Sequence, residues 1–205
     1  MSFRSCMRLV VMLFVLSPSA AQADWIFTPH FGTTFGADAK GREHAVIGGA
    51  IAVFDEGAFG WEADIAFVPD SFAGRYGAVD FNGSNSHVLS AMGNALIGVP
   101  VGGQHRDRIR PYVTIGAGLM QMHVASPDSA GFFETTTHEA GWNTGAGGLI
   151  FVTSRIGIRG DVRYTRSFQD QPPSWTRGVD IDVAPGHYDF FRTTFGVTVR
   201  LGRID

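Results

Sequence analysis

Seven histidines are the residues of this chain best suited to hold a metal or move a proton: His30, His44, His87, His105, His123, His138 and His187. Zinc sites use such side chains at i, i+4 spacing on a helix or paired with cysteines, and none of the seven is so placed. No metal site and no cofactor is therefore expected. His44, His87, His123, His138 and His187 would fall at strand ends on one side of the fold, where solvated histidines are the ordinary outcome. A serine hydrolase needs a serine beside a histidine that an acid orients. The nearest combination is His87 with Ser84, Ser86 or Ser90. Nearness along a Ser/Asn-rich stretch is not triad geometry, so no catalytic residue is assigned, and a lipid-modifying enzyme stays as a second alternative only.

The remaining candidates are electrostatic. Glu62 and Asp64 alternate with small or apolar residues, as do Arg159, Asp161 and Arg163, Arg192 and Arg200, and Arg110 with Tyr112 and Thr114. If these faces turn inward, the charges must pair, because an isolated buried charge is very costly. The expectation is that Glu62 and Asp64 pair with some of Arg110, Arg159, Arg163, Arg192 and Arg200, and that Asp161 joins them.

Strands must position these groups, since side chains that alternate along the chain point to opposite faces of a strand. Phe59 to Phe67 puts Phe59, Trp61, Ala63, Ile65 and Phe67 on one face against Glu62 and Asp64 on the other. Ile156 to Tyr164 sets Ile156, Ile158, Val162 and Tyr164 against Arg159, Asp161 and Arg163. The segment from Trp25 to Phe35 and that from Phe191 to Leu201 alternate likewise. Four weaker strands, blurred by Gly and Ala, span His44 to Phe54, His87 to Val99, Ile109 to His123 and Trp142 to Val152. Each is near the length that crosses a bilayer when tilted. The links after the second, fourth and sixth strands are short: Asp55 to Ala58, Pro100 to Arg108 and Thr153 to Arg155. Those after the third, fifth and seventh are long: Val68 to Ser86, Val124 to Gly141 and Thr165 to His187. Gly36 to Glu43 is intermediate. Alternating short and long links predict tight turns at one end of a barrel and external loops at the other.

An eight-stranded barrel has an interior only just wide enough for side chains. Trp25, Phe27, Phe31, Phe35, Phe59, Trp61, Phe67, Phe191 and Phe195 with their aliphatic neighbours would overfill it, so the apolar faces must point outward, to lipid. The class predicted is all-β: an eight-stranded antiparallel up-and-down transmembrane β-barrel, not a soluble carrier. Trp25, Phe35, Phe59, Phe67, Trp142 and Tyr164 suit the aromatic girdles of such barrels. Before it, Arg4 and Arg8, the apolar run Leu9 to Leu16 and Ala21-Gln22-Ala23 read as a secretory signal cleaved before Asp24. Residues 1–23 are thus expected to be removed, with Cys6, the one cysteine, and 24–205 to form one domain. A formal net charge of −3 and the lack of a basic stripe argue against nucleic acid.

Four stretches, GWEADIAFVP (60–69), MGNALIGVP (92–100), RPYVTIGAG (110–118) and GIRGDVRY (157–164), resemble the small outer-membrane β-barrel family, the OmpA-like membrane-domain group. The resemblance implies a bacterial outer-membrane location and the barrel fold, and it carries no catalytic set. Such barrels often end in an aromatic residue; Leu201-Gly-Arg-Ile-Asp205 does not, so the assembly signal is imperfect or lies a few residues inward. No peptidoglycan-binding domain, and hence no cell-wall anchor, is expected after the barrel. The expected role is structural or interactive, through external loops held on a rigid barrel. The longest carries Asp170, Pro172-Pro173, Trp175, Asp180 and Asp182, and another carries Phe132-Phe133. A small or gated pore is the alternative. Expected partners are outer-membrane lipid and an unknown surface ligand or protein, with the barrel a monomer.

Overall fold

The computed structural model describes residues 24–36, 43–55, 57–69, 75–76, 79–80, 86–101, 108–125, 134–168 and 189–203. Eight long strands form the barrel: β1 (Asp24–Phe35), β2 (His44–Phe54), β3 (Phe59–Pro69), β6 (His87–Gly98), β7 (Ile109–Ala125), β8 (Glu134–Phe151), β9 (Ile156–Ser167) and β10 (Asp189–Arg203). Two short ones, β4 (Arg75–Tyr76) and β5 (Val79–Asp80), make a separate ribbon within the link between β3 and β6. Each barrel strand pairs antiparallel with its neighbours in sequence, and β1 closes the sheet on β10 in the order β1-β10-β9-β8-β7-β6-β3-β2. The barrel is therefore all-β, eight-stranded and up-and-down, as the alternation predicts. Closure removes the open edges that would otherwise invite pairing with other chains.

The short turns are built locally. Asp55 Oδ1 accepts hydrogen bonds from the backbone N–H of Gly57 (2.9 Å) and Phe59 (3.2 Å), which closes the turn between β2 and β3. Thr153 Oγ1 accepts from the N–H of Arg155 and Ile156 between β8 and β9. These side chains take up donors that the ladder leaves over at a strand reversal. At the other end, Gly36 leaves β1 with φ of 115°, a backbone region that favours glycine.

Two boundaries differ from the sequence expectation. The predicted long link from Val124 to Gly141 is shorter, because β7 and β8 stay paired from Gly118↔Gly141 out to Ala125↔Glu134. The run Thr135-Thr136-Thr137-His138 favours strand through its β-branched residues but has no apolar alternation, so the sequence pattern ends too early. Likewise β9 runs on to Ser167 and β10 begins at Asp189. Residues 1–23, Ser84, His105, Phe132-Phe133 and the segment with Pro172-Pro173, Trp175, Asp170, Asp180, Asp182 and His187 lie outside the described residues.

The outward faces are apolar. Phe31, Phe59, Ile115, Phe195 and Leu201 are each about 60% exposed, a surface fit for lipid and not for water. At the long-loop end the outward aromatics touch in an arc: Phe35 stacks on Phe191, Phe191 meets Tyr164, and Tyr164 meets the edge of Trp142. Phe67, His87 and His123 form a second arc on β3, β6 and β7.

Candidate functional site in the barrel lumen

The inward faces form three layers. At the short-turn end, Ile26, Phe54, Leu96, Leu149 and Phe151 pack with Ala52 and Tyr112 into an apolar layer. At the long-loop end, Val46, Val68, Val88, Met120, Met122 and Phe190 belong to a second. Most of the buried charged residues lie between them; Glu139 stands opposite Met120 in the long-loop layer. Sequence alternation places the apolar and the charged groups on the same inward face, and the layering comes from their height along each strand.

The middle layer spans the barrel. Strands β3 and β9 stand diametrically opposite in the closed order, and ion pairs bridge them. Glu62 Oε1 accepts from Arg163 Nη1 (2.7 Å) and from Asn94 Nδ2 (2.9 Å), while Oε2 meets Arg159 Nη2. Asp161 accepts from Arg159 Nε (3.1 Å), Arg163 Nε (3.0 Å), Tyr112 Oη (2.8 Å) and Thr194 Oγ1 (3.1 Å). Asp64 Oδ1 accepts from Arg192 Nη2 (2.8 Å), and Oδ2 lies 3.1 Å from His30 Nε2. Glu62, Asp64, Asp161, Arg159, Arg163 and Arg192 are all buried. Three carboxylates thus face three guanidiniums, and the charge-assisted bonds are the kind that make such burial tolerable.

Room for these long side chains comes from glycine. A β-carbon on Gly145 would stand 2.8 Å from Arg163 Cγ, and one on Gly147 would stand 2.5 Å from Tyr112 Oη. Both contacts are closer than real β-carbons tolerate, so the inward glycines of β8 are where the arginine and tyrosine of the layer lie.

Of the eight residues singled out from sequence, six meet in this layer. Arg110 and Arg200 do not. Arg110 lies over the Phe54 ring (4.5 Å) and Arg200 over the Phe151 ring (4.2 Å), on the apolar layer of the short-turn end. Arg200 also lies 3.5 Å from Asp24. Their positions share the inward parity but not the height. Sequence reasoning leaves out His30 and Asn94 as members of the network; the inward parity of Thr28-Pro29-His30 and of Asn94 was the available signal.

The histidine and serine candidates separate. His87 points outward into the aromatic arc, whereas Ser86 and Ser90 are buried inside and Ser90 Oγ bonds Ala66 O. Neighbours one and three positions apart on a strand fall on opposite faces, so these serines are on the wrong side of the wall for His87. Among the described residues no cluster of three or more His, Cys, Asp or Glu could hold a metal ion.

An outward-apolar, inward-charged closed barrel is the architecture of an integral outer-membrane protein. The family model for the outer membrane protein beta-barrel domain matches residues 9–201, and the chain belongs to that family. It is an outer-membrane β-barrel protein. No curated protein matches it by sequence. Among solved structures it is similar to Neisserial surface protein A, at 12% identity and a TM-score of 0.59, covering 87% of this chain and 99% of that one. It is also similar to the N-terminal barrel domain of Pseudomonas aeruginosa OprF (15%, TM-score 0.45, 86% and 97% covered). A third is Ail, the attachment invasion locus protein of Yersinia pestis (11%, TM-score 0.47, 86% and 98%). At these identities the likeness is one of fold alone.

Proposed function

We propose that this protein is a closed scaffold in the outer membrane, with a structural or surface-interaction role exercised through its external loops. One observation supports the reading above others: the lumen is filled by an ion-paired layer between two apolar layers. Water and ions would have to pass both apolar layers and part the cross-barrel pairs, which disfavours a pore. The separation of His87 from Ser86 and Ser90 speaks against two of the three serine–histidine pairings the sequence offered; the third, with Ser84, lies outside the described residues. The partners expected are outer-membrane lipid around a monomeric barrel and an unidentified ligand or protein at the loops.

A scaffold of this kind should not depend on its longest loop. Exchange of residues 169–188 for a short Gly/Ser linker is expected to leave the barrel's free energy of unfolding in bilayers within about 0.5 kcal/mol of the parent, the range usual for surface changes. The same exchange should abolish binding of expressing cells to arrays of glycans and matrix proteins. Equal binding by both forms would remove the surface-interaction role of that loop.

A further inference from the structure

Three side-chain oxygens of the middle layer are buried with no hydrogen-bond partner in the protein: Asn94 Oδ1, Thr114 Oγ1 and Asn143 Oδ1. Their residues are 2%, 3% and 1% exposed. The register brings them together. Gly116 on β7 pairs with Asn94 on one side and with Asn143 on the other, and Thr114 lies two residues along the same inward face. Asn94 is held in orientation because its Nδ2 donates to Glu62 Oε1, so the other atom of its amide is an acceptor. That oxygen overhangs Gly116, where a β-carbon would collide with it. Arg163 donates to Glu62 and Asp161, and Arg159 to Asp161 and Tyr112 with its Nη2 on Glu62; the buried nitrogens of the layer that lack a partner, His30 Nδ1 and Arg192 Nε, belong to β1 and β10, across the barrel from β7 and β6.

Three neighbouring oxygens without a protein partner, two amide acceptors and a hydroxyl that can donate or accept, suit a small molecule that both donates and accepts. We propose that Asn94, Thr114 and Asn143 form an internal water-binding site on the β6–β8 wall, in the polar layer between the two apolar ones. A buried water typically makes about three hydrogen bonds to such groups. A bare cation would also meet oxygens, but Arg159 and Arg163, within the same layer, repel a further positive ion. The lumen is then hydrated at its centre without being a channel. The site does not depend on what the loops bind, and conductance does not test it.

Thr114→Val tests it by sign. Valine has threonine's shape without the hydroxyl. A dry orphan hydroxyl is a liability, so its removal would raise the urea midpoint of the full chain in bilayers. A hydroxyl that holds water contributes a bond, so its removal lowers the midpoint, and Thr114→Ser should stay nearer the parent. The expected result is a lower midpoint for Thr114→Val than for Thr114→Ser. An unchanged or raised midpoint for Thr114→Val overturns the proposal. Should that variant not fold, oxygen-17 relaxation of water with the parent protein decides: a long-lived bound component supports the site and its absence overturns it. A midpoint that falls when choline replaces sodium, and does so only with Thr114 in place, would assign the oxygens to a cation and likewise overturn it.

Discussion

Glu62→Ala is expected to destabilise the barrel by about 3–5 kcal/mol, the usual cost of removing one partner from a buried ion pair. Glu62 is fully buried and is bonded by Arg159 and Arg163 from the opposite wall. Its loss leaves two guanidiniums sharing Asp161 and one fewer carboxylate to offset the buried arginines of the layer. The effect should come from charge imbalance more than from lost attraction. Glu62→Leu combined with Arg159→Met would restore two acids against two bases, and replacing a whole buried pair by apolar groups of similar volume is often neutral. The double variant should therefore recover most of the loss. Urea unfolding in bilayers, followed by tryptophan fluorescence, measures both. If Glu62→Ala alone shifts the midpoint no more than a surface substitution, the layer is not a closed network.

Ile115→Arg is the second large effect, on the other face of the wall. Ile115 is 62% exposed and points outward from β7 between Ala95 and Thr144. A positive charge at the bilayer midplane of a barrel costs about 2–4 kcal/mol and near the interface about 0–1 kcal/mol. Ile115→Arg should lose the larger amount and Val152→Arg, in the short turn between β8 and β9, the smaller. The same unfolding assay reads the difference. In a water-facing wall the two changes would be about equally harmless.

Much of this was legible in the sequence, for a physical reason. In Phe59 to Phe67 and Ile156 to Tyr164 lipid wets one face and charge the other, so every second residue reports its side. The pattern fades where that contrast fails. Val46, Val68, Val88 and Phe190 point inward like Glu62 and Arg192, yet they are apolar, so β2 and β6 read as weak strands and the two apolar layers went unseen. Beyond Gly141 the β7–β8 hairpin extends with threonines on its returning strand, β8, and no apolar periodicity marks it. Partner choice was harder again. Alternation gives the side a residue faces, but its height depends on register around the whole closed sheet, a non-local quantity. Arg110 and Arg200 therefore looked equivalent to Arg159 and Arg163, and only the register sends them to Phe54 and Phe151.

The inward layering also limits what the barrel can do. A conducting path would have to pass Phe54, Leu149 and Phe151, then the Glu62–Arg159–Arg163 bridge, then Met120, Met122 and Phe190. Side chains already fill an eight-stranded interior, and here those in the middle are tied across its width. The most direct measurement is a planar-bilayer recording of the purified full chain over a range of voltages. A closed scaffold predicts a bilayer conductance no different from protein-free membranes, with no discrete steps. Reproducible steps that scale with protein incorporation, and that change in Glu62→Gln, would contradict it and establish a path through the lumen.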